Sequence, residues 1–231
     1  MSQPIPAQTT VSAPDDYRRW VPNALTGSRL VIATAFFVLL SVWHYPAREL
    51  VVSPRHPVWP YLWAAALFGL AALTDAIDGP LARRWKTVSK FGRVMDPFAD
   101  KVLVVGAFIM LAGPAFGIDV PGRRTLQVSG ITSWMVVVIL GRELLVTSIR
   151  SVMEQSGVDF SATVTGKIKM VVQACAIPFI LVLLGITEVD HGSLGRLLID
   201  SAAWLTVLVT IASGIPYVAR AIRVGINSGR S

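Results

Sequence analysis

An all-α integral membrane protein with six transmembrane helices is the fold class this sequence predicts, on three observations. Hydrophobic residues make up 53% of the 231-residue chain and charged ones only 15%, with a mean hydropathy of +0.60; such values are unusual for a soluble domain of this size. Six apolar stretches are each long enough to span a hydrocarbon core, which needs about 20 residues. The links between them are short, so the six are expected to pack as one domain.

Each span has its own signature. The first, 23–43, opens with Asn23, Ala24, Leu25 and Thr26 and carries Arg29. The second, 58–83, is apolar until Asp75 and Asp78, and the third, 91–112, begins with Asp96 and Asp100. The fourth, 130–150, carries Arg142 and Arg150 at i and i+8, on one helical face. The fifth, 166–186, starts with Lys167 and Lys169 and holds the single Cys175, expected to be a buried thiol. The sixth, 197–219, completes the set. Residues 1–17 are rich in Ser, Thr, Gln and Pro and lack the basic and apolar regions of a signal peptide, so a disordered cytoplasmic tail is expected there. The transmembrane domain then covers 18–225, and 226–231 form a C-terminal tail. One cysteine excludes a disulfide framework. His44, His56 and His191 fall in loops away from the carboxylates, which argues against a zinc site.

The formal charge of +7 is informative by location. Of the 21 basic residues, only Arg48, Arg55, Arg123, Arg124 and Arg196 fall at one membrane face on the six-span reading. The rest, among them Arg18, Arg19, Arg83, Arg84, Lys86, Lys90, Arg93, Lys101, Arg220 and Arg223, fall at the other. By the positive-inside rule both termini and the four carboxylates face the cytoplasm. Charges spread over short loops argue against nucleic-acid binding and suit anionic lipid or an anionic substrate.

Residues 75–100 read DAIDGPLARRWKTVSKFGRVMDPFAD, and helical spacing turns that string into a candidate site. Asp75 and Asp78 are i and i+3; Asp96 and Asp100 are i and i+4; each pair shares a face of its helix. A polar turn around Thr87–Lys90 brings the two helices side by side. Four carboxylates at membrane depth, each costing at least ~2.5 kcal/mol to insert, call for positive charge among them. With no His or Cys nearby, the all-oxygen donor set suits Mg²⁺ or Mn²⁺. Gly79 and Gly92 permit close approach of ligand or backbone, and Pro97 suggests a kink or helix start beside Asp96. The competing reading is simple ion pairing with Arg83, Arg84, Arg93 and Lys101.

The pattern D-x₂-D-G-x₂-A-R-x₈-G-x₃-D-x₃-D, carried by Asp75, Asp78, Gly79, Ala82, Arg83, Gly92, Asp96 and Asp100, resembles the signature of the CDP-alcohol phosphotransferases. That resemblance implies a six-helix bundle, a homodimer, two divalent cations and transfer of a phosphatidyl group from CDP-diacylglycerol to an alcohol with release of CMP. It implies that Asp75 and Asp96 bridge the ions, that Asp78 and Asp100 complete one site each, and that Asp100 is also the general base. Gly79, Ala82, Arg83, Ser89 and Gly92 match positions around the cytidine and diphosphate, with Asn23, Ala24, Leu25 and Thr26 closing the pocket. Within the family, PNALTGSR at 22–29, GRELLVTSIR at 141–150 and GKIKMVVQ at 166–173 resemble the phosphatidylglycerolphosphate synthase branch. Cardiolipin synthases typically have Asp where this chain has Glu143 and Asn where it has Lys169.

The acceptor so implied is glycerol 3-phosphate, an anion, and the cations available to bind it are Arg29, Arg142, Arg150, Lys167 and Lys169. Simpler roles remain for several of these residues: an Arg142–Glu143 ion pair, interfacial snorkelling of Lys167 and Lys169, and helix capping by Asn23 and Thr26. Other acceptors within the family are serine, inositol phosphate and phosphatidylglycerol. An intramembrane prenyltransferase also uses aspartate pairs with Mg²⁺, but usually with more spans and different spacing. A cation transporter needs acids along a path, whereas all four lie at one edge.

Overall fold

The computed structural model describes the backbone of residues 16–45, 59–85, 90–118, 125–156, 163–187 and 192–228, and the side chains of 27–45, 59–74, 98–118, 125–156, 163–187 and 192–224. Six α-helices dominate: α1 (Asp16–Val42), α2 (Trp59–Trp85), α3 (Lys90–Leu111), α4 (Ser133–Gln155), α5 (Val164–Ile186) and α6 (Leu194–Ser228). One helix lies over most of each expected span, although α4 begins three residues after the expected 130. α3 begins at Lys90 and continues through Pro97, so that proline does not start the helix.

Helix contacts close into a circuit: α1 packs on α2, α2 on α5, α5 on α6, α6 on α4, α4 on α3, and α3 back on α1. Phe36, Phe68, Phe108, Ile139, Ile177 and Ile180 fill the interior and are fully buried. Phe36 and Phe68 lock α1 to α2 with ring centroids 5.7 Å apart. The outside is apolar too. Val38, Trp63, Ile109, Val137, Phe179 and Leu208, one from each helix, are exposed. Helices that are hydrophobic all round are those that meet lipid on the outside and protein within. Among the described residues, α5 and α6 each contain a stretch long and apolar enough to cross a membrane. Cys175 belongs to this outer surface: it is exposed, not buried as expected, because an apolar helix does not reveal which of its faces meets the core.

Between α3 and α4 the chain forms an element the sequence did not suggest. A 3₁₀ turn, Pro114–Phe116, leads into a two-residue antiparallel pair, β1 (Gly117–Ile118) with β2 (Leu126–Gln127). Its anchors are carbonyls at the end of α3 that have no intrahelical donor. The Gln127 amide donates to the Leu111 and Gly113 carbonyls at 2.7 and 3.1 Å, and the Ser129 hydroxyl donates to Leu111 at 2.5 Å. From α6, Arg196 donates to the Gln127 carbonyl at 2.7 Å while pairing with Asp200 at 2.8 Å.

Gly130 makes this corner possible, with φ +69 and a position where a Cβ would stand 2.9 Å from Asp200 Oδ1. Gly130→Ala is therefore expected to destabilise the fold by about 1–3 kcal/mol through left-handed strain and the clash with α6. The unfolding midpoint in detergent should fall by several degrees, since about 1 kcal/mol shifts a domain of this size by 2–4 °C. An unchanged midpoint would show that the corner relaxes freely.

Candidate active site

Four helices bring their polar ends to one cleft of about 690 Å³. Asp100 and Lys101 come from α3; Arg142, Glu143, Thr147, Arg150 and Glu154 from α4; Lys167 and Lys169 from α5; Tyr217 from α6. Among the described residues, five basic side chains and three acidic ones line it. Arg142 and Arg150 reach the same cleft because two turns of helix separate them on one face of α4. Lys167 and Lys169 sit in the first turns of α5, which Thr163 caps by accepting from the Gly166 N–H at 3.3 Å.

Glu143 is the electrostatic centre of the cleft. Its Oε1 accepts from Arg142 Nη1 at 3.1 Å and from Lys169 Nζ at 2.5 Å. All three side chains are at most 14% exposed. Such a group is retained only if each charge is paired, because a buried lone charge is costly. Arg142 and Lys169 share that one carboxylate; at the rim Arg150 pairs with Glu154 at 3.1 Å, and Lys167 is exposed. Arg142 is further fixed by donating from Nη2 to the Ser213 carbonyl at 3.3 Å. Lys101 donates to Thr147 at 2.7 Å, tying α3 to α4 across the cleft floor.

A second cavity of about 280 Å³ adjoins the first and shares Asp100, Lys101, Glu143 and Lys169 with it. Its far wall holds Arg29 from α1, 1% exposed, and Gln173 from α5, whose amide donates to Thr210 of α6 at 2.9 Å. Four of the five expected acceptor cations therefore meet in one cleft, and Arg29 lies in the neighbouring cavity. Asp100, half-buried, stands in the shared wall.

The remaining expected residues are placed by backbone alone. Asp75, Asp78, Gly79, Ala82 and Arg83 lie on α2, and Gly92 and Asp96 on α3, so both carboxylate pairs do sit on continuous helix. Asn23, Ala24, Leu25 and Thr26 lie well inside α1, which begins at Asp16, so Asn23 and Thr26 do not cap it. The side chains of all these residues, and Ser89 altogether, fall outside the described residues. Among the described residues no group of three or more His, Cys, Asp or Glu is placed to hold a metal.

In the sequence Glu143 stands out as a neighbour of Arg142 and, with Lys169, as a mark of the family branch; the ion pair between Glu143 and Lys169, 26 positions apart, has no local signal. Tyr217 and Thr163 went unremarked, and only the packing of α6 against α4 and α5 reveals them.

Apolar helices packed around a cleft lined by Arg and Lys side chains suit an anionic group beside an apolar surface. Residues 19–214 match the CDP-alcohol phosphatidyltransferase family, and the chain belongs to it. It is similar to the CDP-diacylglycerol–glycerol-3-phosphate 3-phosphatidyltransferase of Bacillus subtilis, with 32% identity over 197 residues, 85% of this chain and 92% of that one. The protein of the same description from Escherichia coli K12 is 32% identical over 167 residues, 70% of this chain and 76% of its own. That from Cereibacter sphaeroides is 32% identical over 173 residues, 74% and 66% respectively.

Proposed function

We propose that the chain transfers the phosphatidyl group of CDP-diacylglycerol to glycerol 3-phosphate, giving phosphatidylglycerol phosphate and CMP in phospholipid biosynthesis. Beside the relatives, one observation supports this acceptor: Arg142, Arg150, Lys167 and Lys169 line the same cleft as Asp100. Guanidinium and ammonium groups give a phosphate charge-assisted hydrogen bonds, the strongest available to it. Serine, a zwitterion without a phosphate, makes a weaker demand on such a cluster. In the reaction the acceptor hydroxyl attacks the β-phosphorus of CDP-diacylglycerol, its proton passes to Asp100, and the bond to CMP breaks in line.

Two divalent cations, Mg²⁺ or Mn²⁺, belong to the proposal, held by Asp75, Asp78, Asp96 and Asp100. The donor chemistry fits, since residues 75–100 contain no His or Cys and the Asp100 carboxylate opens on the cleft. When bound, such ions stabilise the attacking and leaving oxygens of an in-line displacement. Arg83 is assigned to the diphosphate, and Gly79, Ala82, Ser89 and Gly92 with Asn23, Ala24, Leu25 and Thr26 to the rest of the nucleotide lipid. All six helices are taken to span the membrane as one catalytic domain, with both termini and the cleft at the cytoplasmic face, in a homodimer.

An acceptor panel tests this. Purified protein supplied with CDP-diacylglycerol and Mg²⁺ should release CMP with glycerol 3-phosphate and form phosphatidylglycerol phosphate. Serine, inositol phosphate and phosphatidylglycerol should give little product. A preference for any of those three would move the chain to another branch of its family.

A further inference from the structure

Tyr217, contributed by the last helix, touches both walls of the cleft that carry its cations. It is 4% exposed and lines the cleft from α6. Its phenolic oxygen accepts from the backbone N–H of Thr163 at 2.9 Å. Thr163 is the N-cap of α5, and the N–H groups at a helix start have no intrahelical acceptor. The hydroxyl thus fixes where α5 begins, four and six residues before Lys167 and Lys169. On its other side, the Arg142 guanidinium carbon lies 5.9 Å from the Tyr217 ring centroid, within cation–π range. Arg142 held in this way still has a donor to give: its buried Nε has no hydrogen-bond partner among the described residues.

We propose that Tyr217 is a positioning residue for the acceptor, setting the separation between Arg142 on α4 and the lysine-bearing first turns of α5 so that both engage one phosphate. The proposal rests on the glycerol 3-phosphate reading above and adds to it the role of α6. Gly166, which itself lines the cleft, supplies a second handle. A Cβ there would stand 3.2 Å from the Tyr217 hydroxyl oxygen, close enough to shift it by a few tenths of an ångström and lengthen its bond to the Thr163 N–H.

The test is steady-state kinetics on full-length protein in mixed micelles, varying each substrate in turn, with the unfolding midpoint of every variant measured alongside. Tyr217→Phe keeps the ring beneath Arg142 and removes only the hydrogen bond. It should raise the glycerol 3-phosphate KM roughly three- to tenfold, the worth of one such bond. Its kcat and its KM for CDP-diacylglycerol should stay within about twofold of wild type, a range too small to mark a lost hydrogen bond. Tyr217→Leu, which also removes the ring, should raise the acceptor KM further. Gly166→Ala should raise it too while leaving the midpoint equal or higher, because alanine favours helix over glycine. The rise for Tyr217→Phe, which adds no atom to the cleft that Gly166 also lines, separates positioning by the hydroxyl from a methyl group that merely occupies acceptor space. If wild type turns over glycerol 3-phosphate but Tyr217→Phe and Gly166→Ala leave its KM unchanged, or shift both substrates' constants together with the midpoint, the positioning role is overturned and the function stands. If wild type does not use glycerol 3-phosphate at all, the functional reading itself is overturned.

Discussion

Asp100→Asn should reduce kcat by roughly 10²- to 10⁴-fold, the usual cost of removing a general base. Asn keeps the shape and one oxygen but cannot readily take the proton of the acceptor hydroxyl. The side chain stands in the wall common to both cavities, facing the cationic cleft on one side and the Arg29 cavity on the other. That location would let it meet both the acceptor proposed to lie between α4 and α5 and the donor proposed to lie along α2. CDP-diacylglycerol binding, measured at the same saturating Mn²⁺ concentration, should change far less than turnover. Recovery of turnover to near wild type on adding metal would make Asp100 a ligand alone and require another proton acceptor.

Glu143→Ala should strongly destabilise the folded state, because it strands Arg142 and Lys169, both at most 10% exposed. Removing one partner of a buried ion pair costs about 3–5 kcal/mol. The cleft admits water, so the lower end of that range applies, which corresponds to a drop in the unfolding midpoint of roughly 6–12 °C for a chain of this size. The double change Glu143→Leu with Lys169→Met removes two of the opposed charges together and should recover part of the loss, Arg142 alone still lacking its carboxylate. It should not recover use of glycerol 3-phosphate. If the double variant regained stability and acceptor use alike, Lys169 would have only a structural role.

These two residues also mark how far the sequence could be read. The helices were legible because a membrane-length apolar run is a strong local signal, and the expected 166–186 differs from α5 by two residues at its start. Hydropathy reports the part of a helix that suits lipid, not where hydrogen bonding ends. α1 therefore reaches back to Asp16, and α6 runs to Ser228, beyond the apolar stretches expected at 23–43 and 197–219. The Gly117–Gln127 pairing was invisible because its anchors are carbonyls of α3 and an arginine of α6, remote in sequence. In the site, Arg142, Arg150, Lys167 and Lys169 could be named from type and register. Their organisation could not, since the Glu143–Lys169 bond and the Tyr217–Thr163 bond join residues 26 and 54 positions apart. Arg29 shows the same limit: its charge was evident, but its separation into a second cavity is a matter of packing.

The most direct measurement is the glycerol 3-phosphate KM of Lys167→Ala. Lys167 is exposed in the first turn of α5, outside the Glu143 ion pairs, so the substitution leaves the buried charges balanced. A phosphate contact from an ammonium group is worth about 1.5–3 kcal/mol, and at the open rim of the cleft the lower figure applies. The acceptor KM should therefore rise roughly tenfold, with the CDP-diacylglycerol KM unchanged. An unaltered acceptor KM together with weakened CDP-diacylglycerol or CMP binding would contradict the account, because the cationic cleft would then hold the donor.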